Sequence, residues 1–294
     1  MKKGNAYLYL VIVFFLWGSV YPASKFAMAT LPTVVMVCGR FLVSVPALFF
    51  IGRKQIKAAR IDRSDWKYFA LIGFLGYFLS TIFNTLSLNY IDASMGSLFN
   101  SLTPVGITVM AALVLKEHIS LRHILCLALA LAGAIVITGG AEGEGQVLGL
   151  ILVLLCILSF SFSSVTMRPL SRKYGALVVT AYSMLVSLIG YIPAAAVSLV
   201  RVGGVQITAE AVLAVVYMGL FATALAHTLW GKCLSMLEAS RCSMFYPLQA
   251  LFGSLLGALL LGERFTPAFF IGAVMIAAGV IISCREKRER RQLK

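Results

Sequence analysis

The chain has 294 residues, of which 60% are hydrophobic and 12% charged, with a formal net charge of +14. Soluble domains are nearer half apolar and a quarter charged, so this composition excludes an ordinary soluble enzyme or nucleic-acid-binding domain. The apolar residues gather in long runs, such as AYLYLVIVFFLWGSVY from Ala6 and LGLILVLLCILSFSFSSV from Leu148, which is what a hydrocarbon layer of ~30 Å requires of a helix.

In chain order, ten membrane-spanning helices are expected, at 6–24, 31–51, 66–88, 93–115, 121–138, 147–167, 175–199, 209–231, 239–261 and 267–284. The runs pass through glycine and small residues without alternating at period two, which favours helices over a β-barrel. The reading is an all-α integral membrane protein. The start, MKKGNAYLYLVIVFF followed by FAMA at 26–29, imitates a secretory signal. Nine further spans already supply insertion, and the first helix is read as retained. The second span is interrupted by Pro32, Arg40 and Pro46.

The charge reads as topology. With both termini in the cytoplasm, 21 of the 25 Lys and Arg fall on the inner side, six of them in the tail that follows Cys284. That bias is the positive-inside pattern of a multi-pass protein of the plasma (inner) membrane. The basic segment 285–294 then lies against anionic lipid headgroups. The six cysteines form no CxxC pair, and His118 and His123 lack acidic or cysteine partners at ligand spacing. No metal or cofactor is implied. No Walker-type motif is present either, which argues against direct ATP coupling.

The sequence repeats itself. DASMGSLF at 92–99 returns as EASRCSMF at 238–245, and the echo at an offset of 146 extends over 88–137 and 234–283. It pairs Ala93 with Ala239, Ser94 with Ser240, Phe99 with Phe245 and Glu117 with Glu263. At an offset of 143, Lys25 meets Arg168, and FLVS (41–44) meets MLVS (184–187). Two units are expected, 5–139 and 147–284, joined by TGGAEGEGQ. Each holds five spans, an odd number, so the second must enter the membrane from the opposite side. Two inverted five-helix repeats leave a pathway between them near the midplane, the geometry of alternating access.

At this point the chain resembles the ten-helix EamA-type members of the drug/metabolite transporter superfamily. The resemblance rests on WGSVYPASK (17–25), Pro32, Arg40-Phe41, Thr103-Pro104, Glu117, GLFATALAHTLW (219–230) and EASRCSMFYPLQALFGSLLGALLLGE (238–263). It implies a secondary transporter, not an enzyme, moving a small organic metabolite such as an amino acid, with efflux as the expected direction. Departures fall at Ala250, where proline is common, at Gln249, where an acidic residue is common, and at His227, where an aromatic is usual. A nucleotide-sugar or sugar-phosphate carrier is the nearest rival, but it calls for several cations facing the cavity. An intramembrane enzyme requires paired carboxylates, a metal set or an activated nucleophile, and none is seen.

Polar groups inside spans are the candidate site, because burying them unpartnered costs several kcal/mol. Arg40 either locks freed backbone carbonyls or attracts an anionic substrate group. His227 is the candidate carrier of a coupling proton, since none of the eleven Asp and Glu residues falls mid-span. Asn84, Asn100, Ser161, Ser164, Tyr246 and Gln249 are candidate hydrogen-bonding groups, and Trp17, Tyr77 and Trp230 candidate stacking surfaces. Pro104 and Pro247 are expected to kink their spans and act as opposed hinges. Lys25 is expected to snorkel to an interface, and Glu117 and Glu263 to brace the turns into their own next helices. Gly253 and Gly257 form a GxxxG pair, packed internally or against a second copy in a homodimer. Labelling of Glu142→Cys and Arg264→Cys variants tests the topology: both react from the outer side, and reaction from opposite sides overturns the inverted arrangement.

Overall fold

The structure, a computed structural model, describes residues 4–100, 102–115, 129, 132, 136, 144–237, 242, 245–275 and 277–278. Helix α1 (Gly4–Met28) and α2 (Thr33–Ile51) lead to the short α3 (Arg53–Ala58) and a 3-10 turn at Arg63–Asp65. Then α4 (Trp66–Leu71), a π-helical stretch (Ile72–Leu79) and α5 (Ser80–Ser87) run on as one rod, followed by α6 (Ala93–Asn100) and α7 (Thr103–Leu115). The later elements are α8 (Glu144–Tyr174), α9 (Ala176–Val202), and a second rod of α10 (Ala209–Tyr217), a π-helical stretch (Met218–Leu225) and α11 (Ala226–Met236); α12 (Tyr246–Leu261) comes next. Residues 267–275 are also helical, and no strand occurs among the described residues.

Six segments among the described residues are long and apolar enough to cross a membrane: Ala6–Met28, Thr33–Ile51, Arg63–Ser87, Gly145–Tyr174, Ala176–Val202 and Ala209–Met236. Tyr246–Leu261 is a shorter apolar helix. The expected span 121–138, Glu117 and the tail 285–294 lie outside the described residues, as does much of the last span. The sixth span was expected to close at 167. It continues through Pro169 to Tyr174 and stops at Gly175, whose φ of +86° an L side chain adopts only with strain.

The expected hinges have a different local structure. The span at 93–115 is broken after Asn100, and Pro104 is the second residue of the helix that restarts at Thr103. Pro247 likewise follows Tyr246 at the start of α12. A first-turn proline lacks an N–H that has no intrahelical partner anyway, so both residues start helices and do not kink continuous ones. The Asn100 carbonyl accepts a hydrogen bond from the Thr103 hydroxyl at 2.6 Å.

Glycines set the closest approaches. A Cβ on Gly18 of α1 would stand 2.9 Å from the Phe252 Cβ and 3.0 Å from the Gln249 carbonyl oxygen of α12. On its other side α12 meets α6, with Gly253 against Ser97 and Gly257 against Ser94. The GxxxG pair is therefore occupied inside the chain. The two π stretches stand 146 positions apart, and each presses a glycine on the other half. Gly73 abuts the Ser183 carbonyl and Val186, while Gly219 abuts the Arg40 carbonyl and Val43. Large apolar side chains such as Phe50, Ile189, Leu213 and Val274 point outward, as a lipid-facing surface requires.

Both ends are tied by polar contacts. At one, the Glu263 carboxylate accepts from the Ala93 N–H (2.8 Å), the Ser94 N–H (3.0 Å) and the Ser94 hydroxyl. It thus caps the first turn of α6, where a negative charge also meets the helix dipole. The Lys25 ammonium donates nearby to the carbonyls of Leu88 (2.6 Å) and Ile91 (3.0 Å). Lys25 is thus a clamp, not a snorkel, and Glu263 reaches across to the first half and does not brace its own turn. At the other end Lys173 pairs with Asp62 (2.6 Å) and Asp65 (2.7 Å). This cluster is largely exposed, where such pairs contribute little.

The Gly18 contact yields a prediction. Gly18→Val overpacks the α1–α12 crossing and is expected to cost about 1–3 kcal/mol, seen as a lower unfolding midpoint in detergent. An unchanged midpoint would mean that the two backbones do not meet this closely.

Candidate functional site: a cavity around Arg40

Side chains from seven helices converge on one cavity. Helix α1 gives Trp17, Val20 and Tyr21; α2 gives Arg40; α5 gives Ser80, Thr81 and Asn84; and α6 gives Asn100. From the second half come Cys156 and Phe160 of α8, His227 of α11, and Tyr246 and Gln249 of α12. The space open to the centre of a water molecule is about 80 Å³. That is room for on the order of five water-sized bodies.

Among the described residues, Arg40 is the only charged residue of this lining. Its side chain is 3% exposed, and it makes one hydrogen bond, from Nη2 to the Thr223 hydroxyl at 3.1 Å. Nε and Nη1 have no partner. Thr223 also anchors the histidine, because its carbonyl lies 3.0 Å from His227 Nδ1. A carbonyl only accepts, so Nδ1 carries the proton. The backbone beneath Arg40 is fixed by the Ser44 hydroxyl, which lies 2.6 Å from the Arg40 carbonyl and 2.7 Å from that of Gly219.

A polar chain lines another side. Asn100 Nδ2 donates to Asn84 Oδ1 at 2.6 Å, and Gln249 Nε2 donates to the Tyr21 hydroxyl at 2.9 Å. Gln249 Oε1 and the Trp17 indole N–H are buried without partners. Trp17 is the hub of an aromatic wall. Its ring lies 5.2 Å from His227, 5.5 Å from Trp230, 5.7 Å from Phe160 and 6.3 Å from Tyr246.

The EamA-like transporter family profile matches residues 4–139 and again 147–285. The chain belongs to the EamA-like transporter family. It is therefore a multi-pass membrane transporter and not an enzyme. An uncharacterized transporter of Archaeoglobus fulgidus is 25% identical over 291 residues, covering 98% of this chain and 100% of the relative. A probable amino-acid metabolite efflux pump of Salmonella typhimurium is 25% identical over 307 residues, covering 99% and 98%. A solved crystal structure shares the fold with a TM-score of 0.70 at 19% identity, covering 98% of this chain and 99% of that one.

Of the residues expected to face a solute in this EamA-like transporter, Trp17, Arg40, Asn84, Asn100, His227, Tyr246 and Gln249 are brought together at the cavity. Four are not in its lining. Tyr77 sits behind His227, ring to ring at 5.2 Å, and its carbonyl accepts from the Tyr191 hydroxyl at 2.7 Å. Trp230 backs Trp17 and Tyr246 and is 1% exposed. Ser161 and Ser164 are buried, and Ser161 fills the notch at Gly106. Among the cavity residues that the sequence reading missed, Phe160 and Thr81 are the repeat counterparts of Trp17 (offset 143) and His227 (offset 146). Tyr21 lies one helical turn from Trp17. All three carried a legible signal.

Arg40 decides between two roles by its effect on stability. A buried cation with no acidic partner destabilises the fold that holds it, and an apolar chain of similar length removes that cost. Arg40→Met is expected to stabilise the transporter by roughly 1–4 kcal/mol, read as a raised unfolding midpoint in detergent. A lowered midpoint would make the guanidinium a structural clamp.

Proposed function

We propose that this protein is a secondary active transporter of the plasma membrane, with cytoplasmic termini, moving a small organic metabolite outward by alternating access. The observation that carries the reading is Arg40: a buried cation with unpartnered N–H groups, facing a cavity lined by both halves of the chain. A charge left so is costly unless a ligand answers it.

The pattern of helix packing supports an inverted repeat. Helix α1 packs on α12 as α8 packs on α7. Helix α2 packs on the second π stretch as α9 packs on the first, and α1 meets the second rod as α8 meets the first. Direction supports it as well. Helix α1 starts with Ala6 beside Cys233 and ends with Lys25 beside Leu88. Helix α8 starts with Gly149 beside Tyr90 and Ile91 and ends with Lys173 beside Asp62. Exchange of two such halves turns a cavity open to one side into one open to the other. The single cation in the lining weighs against a sugar-phosphate or nucleotide-sugar cargo. The amino-acid efflux pumps among the relatives favour a carboxylate-bearing metabolite.

Purified protein in liposomes, offered a labelled panel of amino acids and related acids with and without a proton gradient, tests the proposal. Saturable uptake accelerated by unlabelled solute on the far side is expected, and it is expected to fall by about tenfold or more in Arg40→Met, as loss of a charged hydrogen bond predicts. Flux that never saturates, or none with any member, overturns the carrier reading.

A further inference from the structure

We infer that the cavity selects a small monocarboxylate with an apolar or aromatic body, in its anionic form, over the zwitterion and the cation built on the same frame. The inference takes the cavity to be the solute site of the transporter proposed above, and it names the charge state that the site accepts.

Charge balance carries the argument. Among the described residues, the cavity lining contains one permanent cation and no acidic residue. Arg40 spends a single N–H on Thr223, which leaves Nε, Nη1 and the second Nη2 hydrogen to grip a carboxylate on two prongs. The buried Trp17 indole N–H is a further donor without a partner. Against these, the acceptors are neutral: the unpartnered amide oxygen Gln249 Oε1 and, with Nδ1 protonated, the His227 Nε2. A monoanion brings the site to net zero. A zwitterion leaves the Arg40 charge unbalanced and adds an ammonium with no carboxylate to receive it, and a low-dielectric site penalises both defects. The other walls are Trp17, Phe160, Tyr246 and the His227 ring, suited to a flat apolar body.

Three ligands on one benzyl frame separate the cases: phenylacetate (anion), phenylglycine (zwitterion) and benzylamine (cation). Binding is read in detergent by Trp17 and Trp230 fluorescence in a Trp66→Phe background, so the result does not depend on flux. Phenylacetate is expected to bind at least about tenfold more tightly than phenylglycine, as one charged hydrogen-bond set predicts, with benzylamine not binding. Arg40→Gln is expected to abolish the difference. Gln249→Glu, which puts a carboxylate where the idle amide oxygen stands, is expected to weaken phenylacetate and strengthen phenylglycine. Equal or tighter binding of phenylglycine by the unaltered protein overturns the inference, as does an unchanged order in Gln249→Glu, while saturable amino-acid flux would leave the transporter reading standing. Absence of binding by all three overturns it too, and the liposome assay then judges the carrier separately.

Discussion

A guanidinium cannot be withdrawn from water and left unanswered, and the centre of this molecule is arranged around that constraint. Arg40 cannot shed its charge as a lysine or histidine can. The fold meets part of its hydrogen-bonding need through Thr223 and leaves Nε and Nη1 without a partner beside the cavity. Thr223 in turn sets the His227 ring, and His227 sets the face that Trp17 and Tyr77 pack upon. The polar and aromatic sides of the site are thus linked through one residue of a π-helical stretch. π-helical turns recur at functional sites because they shift side chains out of α-helical register and alter which carbonyls are engaged.

The two π stretches position more than the site. Each places a glycine where the opposite half brings its backbone closest, and each offers carbonyls to hydroxyls of that half: Gly219 to Ser44, and Tyr77 with Phe78 to Tyr191. In a lipid interior there is little hydrophobic force between helices, so close backbone approach and such hydrogen bonds supply the adhesion. The symmetry breaks at the charge. The counterpart of Arg40 at offset 143 is Ser183, so the two matching segments of the chain differ at the residue that charges the site.

The ends differ in strength. Glu263 on the first turn of α6 gathers three hydrogen bonds in a part-buried setting, and Lys25 closes over the neighbouring turn. In the Asp62–Asp65–Lys173 cluster, Lys173 and Asp62 are more than half exposed and Asp65 17% exposed, so side-chain entropy and screening consume much of its Coulomb energy. Among the described residues, the end that holds Glu263 is the more firmly tied.

What the sequence determined by itself was whatever depends on composition, periodicity and self-similarity. Long apolar runs require membrane helices, and a repeated phrase requires a repeated element. A charged or amide side chain in mid-span has to turn inward, which is why Arg40, Asn84, Asn100, His227 and Gln249 are legible as cavity groups in the sequence alone. The tertiary structure decided the matters of partnership and rotation. Trp17 lines the cavity while Trp230 backs it, although both are aromatics in apolar helices, because facing depends on a helix's rotation against neighbours distant in sequence. Ser161 is small enough to pack at the notch of Gly106, and Ser164 is buried away from the lining, so their polarity did not oblige them to face the cavity. Lys25 and Glu263 found backbone groups across the molecule that no local reading places near them. Pro104 and Pro247 looked like kinks because a proline in a long run usually is one, and only the breaks before them show that each begins a new helix. Periodicity tells a side chain that it must be buried; only packing tells it against what.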